Sequence, residues 1–203
     1  MIDESGKRIC GKGRMTKKTT KKSASKSTRL RRDQSEVAPI VSSAHLATGD
    51  SLTLSEFEYA LIMTSHAFNR WIVRCMAATG ASNLSPLDVL VLHSINHRDR
   101  PKKLADLCLV LNLEDTHTVN YSLKKLEKLG LVKTSRIAGK EKVAEIEEEG
   151  RRVCDKYAAI RNDCLVRSFH AFGDASDNVV ELASLLRVLS GLYDQAARSA
   201  ASM

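Results

Sequence analysis

The chain has 203 residues, of which 43% are apolar, 28% charged and 4% aromatic, and its formal net charge is +8. That length suits one substantial domain with appendages, and the apolar fraction is enough for a core built mainly from Leu, Val and Ala. No run approaches the ~18 uninterrupted apolar residues of a membrane span, and no secretory apolar segment follows the basic N-terminus. No Ser-His-Asp, Cys-His or phosphate-loop arrangement is recognisable, so a cytoplasmic, non-enzymatic protein without membrane contacts is expected.

The charge is placed unevenly. Residues 1–36 carry twelve Lys and Arg against four acids and so hold the whole net charge, while the rest balances at twenty of each sign. Residues 1–50 are rich in Lys, Ser and Thr, too poor in apolar groups to offset ordering entropy, and are predicted to be a disordered basic tail. Its simplest role is attraction to phosphates through counterion release, with mere solubilisation as the rival reading. Met15, just before a Lys-Lys-Thr-Thr-Lys-Lys run, is an alternative translation start.

Residues 51–203 are predicted to form the folded part. From Leu54 to Thr79 the stripe Leu54, Phe57, Leu61, Phe68, Ile72, Cys75 and Met76 marks a long helix, widened by Ala60, Ala67 and Trp71. A helix apolar over so much of its circumference is expected to be covered on several sides, including by a partner subunit. Ser85 caps a second helix with Pro86 at its first position, and Leu87, Leu90, Val91 and Ile95 face inward. Asp99-Arg100-Pro101 is expected to open a third helix carrying Leu104, Leu107, Cys108 and Leu111, which Asn112 closes in a left-handed conformation.

The most informative stretch runs from Thr116 to Val132. Asp115 or Thr116 caps a helix whose Val119, Ser122, Leu123 and Leu126 face the core. His117, Asn120, Tyr121, Lys124 and Lys128 lie opposite, offering imidazole, amide, phenol and ammonium groups to base edges and phosphates. The short Leu113-Glu114 link forces the two helices to cross steeply, as in a helix-turn-helix. Gly130 releases the chain into a strand at 131–136, Ala138-Gly139-Lys140 reads as a hairpin turn, and 142–146 returns as the second strand of a wing. A helix follows from about Glu147 to Phe169, its leading acids favoured by the helix dipole rather than by a metal. After a break at Gly173 a last helix carries Val179, Leu182, Leu185, Leu186, Leu189 and Leu192.

Two smaller patterns have a bland reading. The five cysteines (Cys10, Cys75, Cys108, Cys154, Cys164) show no C-x-x-C spacing and read as reduced, packed thiols, with a low-pKa redox sensor as the rival. His93 and His97 stand one helical turn apart without an obvious third ligand, so no metal or other cofactor is expected.

The order of elements, with Leu104-Ala105, then Leu126-Glu-Lys-Leu-Gly-Leu-Val132, then Glu148-Glu-Gly-Arg151, resembles the MarR family of winged-helix regulators over residues 54–195. The resemblance implies a mainly α protein: a winged helix-turn-helix (85–146) with a two-stranded β wing, and a helical dimerisation region (54–79 and 147–200). It also implies a homodimeric transcriptional regulator on a pseudo-palindromic double-stranded DNA operator. On the family's motif His117, Thr118, Asn120 and Tyr121 match positions that touch bases or phosphates; Thr116 at the helix start is a further candidate, and Lys124 and Lys125, further along, are phosphate candidates. Tyr121 stands where an Arg is common, and the wing lacks the family's Asp-x-Arg, which leaves Arg136, Lys140 and Lys142 as its cations. Relatives respond to small aromatic acids or phenols, for which His66, Arg70 and Trp71 are the candidate pocket. Non-specific nucleoid binding through the basic tail, or a scaffold for protein contacts, are the alternative functions.

Overall fold

Residues 52–98, 100–137, 141–170 and 176–203 are described by the computed structural model. The basic tail, the turn at Ala138-Gly139-Lys140 and the break at Gly173 lie outside the described residues. In chain order the elements are α1 (Leu52–Ala78), α2 (Pro86–Asn96), β1 (Lys102–Lys103), α3 (Leu104–Val110) and α4 (Thr116–Lys128). They continue with β2 (Val132–Ile137), β3 (Glu141–Ile146), α5 (Glu148–Arg161), α6 (Arg167–His170) and α7 (Ser176–Ala200). A π-helical turn, Asn162–Val166, joins α5 to α6, so the long helix expected from 147 to 169 is interrupted rather than uniform.

Each boundary has a local cause. Ser85 caps α2 through a reciprocal box: its hydroxyl accepts from Asp88 N at 3.2 Å, and Asp88 Oδ2 accepts from Ser85 N at 2.7 Å. Pro86 fills the first helical position, where an absent N–H costs nothing. Asn112 ends the α3 segment with φ 51°, the left-handed conformation expected of it, and Gly130 ends α4 with φ 69°.

The sheet departs from expectation. It has three antiparallel strands in the order β1-β3-β2, and the third helix begins at Leu104, not at Asp99-Arg100-Pro101. Pro101 disfavours helical geometry at Arg100. The next two residues stay extended, and Lys102 and Lys103 pair with Ala144 and Val143 of β3. The wing itself is a six-pair hairpin in which Val132 faces Ile146 and Arg136 faces Lys142.

The core joins the C-terminal third of α1 (Ile72, Cys75, Met76) to α2 (Val89, Val91, Leu92, Ile95) and α4 (Val119, Leu123, Leu126). Val132, Ala144 and Ile146 of the sheet and Val153, Cys154 and Tyr157 of α5 complete it. Cys75, Cys108 and Cys154 are buried as packed thiols, and burial pushes Cys154 up to about 12, which makes it inert rather than reactive. Trp71 packs against this core, but Leu54, Leu61 and Phe68 of the predicted α1 stripe stay exposed, as do Leu182, Leu185, Leu186 and Leu192 on α7. Among the described residues no helix is long and apolar enough to cross a membrane.

Candidate nucleic-acid interface

Asp115 opens α4, its carboxylate accepting from His117 N at 2.8 Å, which decides between the two caps considered above. Val119, Ser122, Leu123 and Leu126 are buried, as the helical period predicts. The opposite side is uncovered among the described residues: Thr116, His117, Thr118, Tyr121, Lys124 and Lys128 are exposed, Tyr121 at 71%. Thr118 spends its hydroxyl on the first turn, donating to Asp115 O at 2.8 Å. His117, Thr118 and Tyr121 line one shallow groove beside Ser85 and Leu87 at the start of α2.

A second, polar crevice of about 420 Å³ lies between α4 and the wing. Asn120 and Lys124 form its helical wall, and Thr134, Ser135, Arg136 and Lys142 its strand wall. Three of these six side chains are cations, against the one carboxylate of Glu127 beside them, so the crevice attracts anions. Glu127 holds the two walls together, accepting from Thr134 N at 3.0 Å and from Thr134 Oγ1 at 2.7 Å. Lys142 Nζ crosses to Asn120 Oδ1 at 2.8 Å. Lys140 lies outside the described residues.

Lys125 is placed differently from its neighbour Lys124. Its ammonium reaches inward to Asp88 Oδ2 at 2.7 Å, where it meets a carboxylate that is 1% exposed. Burial raises the Asp88 pKa, but the Lys125 ammonium, the Ser85 N–H and the hydroxyls of Ser122 and Ser85 outweigh it and hold the carboxyl below its ordinary value. Lys125 is thus a tie between α4 and the α2 cap, whereas Lys124, Arg136 and Lys142 line the crevice. The sequence reading missed Asp88. Its signal was the Ser-x-x-Asp spacing of a capping box, which does not reveal that the carboxylate is buried.

His66 and Arg70 are exposed on α1, and Trp71 is half-buried against the core. None of the three lines the cavity of about 690 Å³ that opens between α2 and α3. Its floor includes Leu90, Leu107 and Leu111 and its rim Arg98 and Arg100, with Lys102 and the carboxylate of Asp106 also in the lining. Lys102 is buried and donates to His97 O at 2.5 Å. Burial, then repulsion from Arg100 and Arg98, lowers its pKa. His93 also lines this cavity, with its ring edge-on to Tyr157 at 4.4 Å between centroids. Among the described residues no group of three or more His, Cys, Asp or Glu stands where it could hold a metal ion.

Residues 84–150, which hold α2 to the start of α5, match the family model described as a winged helix DNA-binding domain. The described chain as a whole has the fold of MarR-family transcriptional regulators. A transcriptional regulator of that family from Rhodococcus sp. RHA1 superposes with TM-score 0.55 at 18% identity, covering 70% of this chain and 96% of its own. A mutant MarR from E. coli complexed with operator DNA gives 0.57 at 16%, covering 70% and 99%. CouR from Rhodococcus jostii RHA1 bound to p-coumaroyl-CoA gives 0.54 at 20%, covering 66% and 90%. No curated protein matches the sequence.

Proposed function

We propose that the protein is a homodimeric transcriptional regulator that binds double-stranded DNA in a sequence-dependent way, with α4 in the major groove. The observation that carries this reading is the uncovered polar face of α4 meeting a crevice of three cations shared with the wing. His117, Thr118, Asn120 and Tyr121 face bases or adjacent phosphates, with Thr116 at the first turn. Lys124, Arg136, Lys140 and Lys142 supply the positive charge that draws the DNA in. The exposed apolar residues of α1 and α7 support pairing with a second copy, and a two-fold dimer would read a pseudo-palindrome with half-sites about one helical turn apart. Operator DNA in the E. coli MarR complex is in keeping with this assignment. The site of action would be the cytoplasm, at the nucleoid.

Selection of bound genomic fragments with the full chain, and with residues 1–36 removed, tests the reading. Retained site-specific binding without the tail supports it; loss of all binding supports tail-driven, non-specific coating instead. Lys124→Ala should weaken binding to every sequence and reduce the slope of log affinity against log salt by about one. Tyr121→Ala should instead reduce discrimination between sites while leaving non-specific affinity nearly unchanged. If both variants footprint as wild type, α4 is not the reading helix.

A second proposal concerns the effector, whose seat would be the α2–α3 cavity rather than the surroundings of His66, Arg70 and Trp71. Its volume is in the range of small-molecule sites, and an apolar floor beside three cations and the single acid Asp106 suits a small aromatic or phenolic acid. CouR, with its bound p-coumaroyl-CoA, shows that this fold can carry an aromatic ligand. An aromatic carboxylate at 100 times its dissociation constant should stabilise the protein by about 2.7 kcal/mol in thermal melts. Arg100→Ala should remove that gain without lowering the melting temperature of the free protein. Saturation unaffected by Arg100→Ala would place the ligand elsewhere.

A further inference from the structure

Asn120 is the one amide on the outer half of α4, and the wing has already engaged it. Lys142 Nζ donates to Asn120 Oδ1 at 2.8 Å across 22 residues of sequence. An ammonium offers three donors and no acceptor, so the contact fixes the direction of the amide: oxygen toward the wing, NH2 left for other partners. Lys142 has reason to keep the bond. Arg136 stands directly opposite it in the hairpin register, and Lys124 lines the same crevice, so it sits among like charges. Burial holds the Lys142 ammonium below its ordinary pKa; Lys124 and Arg136 add to this, and Glu127 opposes it. An amide oxygen at hydrogen-bond distance relieves part of that cost, and a charge-assisted bond is stronger than a neutral one.

We propose that Asn120 and Lys142 together present a surface of donors that selects guanine at the base pair facing Asn120, with Lys142 both turning the amide and donating itself. This rests on the DNA-binding reading of α4. An Asn side chain reads adenine by using both ends of its amide, accepting from N6–H and donating to N7. Here the accepting end is held by a cation, and the N6 donor of adenine would have to share the oxygen with an ammonium. Guanine presents N7 and O6 in the major groove, both acceptors, which suit the Asn120 NH2 and a neighbouring ammonium. Thymine offers O4 alone, and cytosine a donor that this surface repels. Helix α4 contains no arginine, the side chain that most often reads guanine, so the wing supplies the missing donor to a helix that lacks its own.

The test is selection from a random duplex library at fixed salt with wild type, Asn120→Ala, Lys142→Met and Lys142→Arg, after thermal melts confirm that each is folded. The position facing Asn120 is the one whose preference Asn120→Ala erases. Wild type should select guanine there by at least about fivefold over adenine. Lys142→Arg should keep guanine, and Lys142→Met should lose it or turn to adenine at that position alone. A uniform fall in affinity for Lys142→Met with the guanine preference intact overturns the inference but not the DNA-binding reading. Wild-type adenine at that position, or no position that responds to Asn120→Ala, does the same. A wild-type protein that selects no sequence overturns both.

Discussion

Asp88→Ala is expected to destabilise the winged module by about 2–4 kcal/mol, read as a lower urea midpoint at unchanged slope. Two losses combine. The first is the α2 cap, in which the carboxylate accepts from Ser85 N; such caps contribute about 1 kcal/mol. The second is the ion pair to Lys125, whose removal strands an ammonium over a buried position. The Lys125 side chain keeps 31% of its exposure, so its charge is partly solvated and the cost falls below that of a fully buried orphan. The pH dependence has a definite sign. A carboxyl whose folded pKa lies below its ordinary 3.8 contributes stability above that value and loses it as pH falls through the folded pKa. Wild type should therefore lose this increment on acidification below about pH 4, and Asp88→Ala should show no such loss. Because the tie runs from the α2 cap to α4, the variant should also bind DNA more weakly at temperatures where it is still folded. A midpoint within experimental error of wild type would mean that Lys125 does not anchor the helix.

The pair Lys124 and Lys125 shows where sequence reading stops. Both fall beyond the buried stripe of α4, and the period of 3.6 places them about 100° apart without saying what faces either. Only the position of Asp88, brought in by α2 from 37 residues away, makes one a tie and leaves the other at the crevice. The same asymmetry runs through the fold. The stripe of α4, the Ser85-Pro86 start, the left-handed Asn112 and the Gly130 stop are set by near neighbours in the chain, and all were legible. Strand β1 was not, because two lysines carry no alternation; they become a strand only when β3 offers unpaired backbone groups beside them. Helix α1 is an intermediate case. Its apolar period was plain, yet only the stretch from Trp71 to Met76 packs into the described core, since periodicity gives the face of a helix and not what covers it. The α2–α3 cavity was invisible for a related reason. Its rim residues lie in a link between helices, and their convergence depends on how α3 crosses α2.

Gly150→Ala should be damaging in spite of its favourable local effect. Gly150 lies in the first turn of α5, where Ala is the better helix former by at most the ~1 kcal/mol of a helix interior. A carbon added there would stand 2.1 Å from Leu131 O and 2.7 Å from Ile146 Cδ1. The isoleucine terminus can rotate away, but the carbonyl cannot, because Leu131 O already accepts from Glu147 N at 3.0 Å and Leu131 leads directly into β2. Relief requires α5 to move off the start of the wing, opening the contact among Leu131, Ile146 and Val153 in the core. Overpacking of this kind costs about 1–3 kcal/mol, and a backbone obstacle puts Gly150→Ala at the upper end. Gly191→Ala on α7 is the control: nothing of its own chain lies within 4 Å of its added carbon, so in the folded subunit the propensity gain should appear as a small rise in stability. Opposite shifts in the two melts are the expected result. Since the displaced wing carries Arg136 and Lys142, Gly150→Ala should also lose DNA affinity that Gly191→Ala retains, and equal affinities in the two variants would show that the wing tolerates the shift.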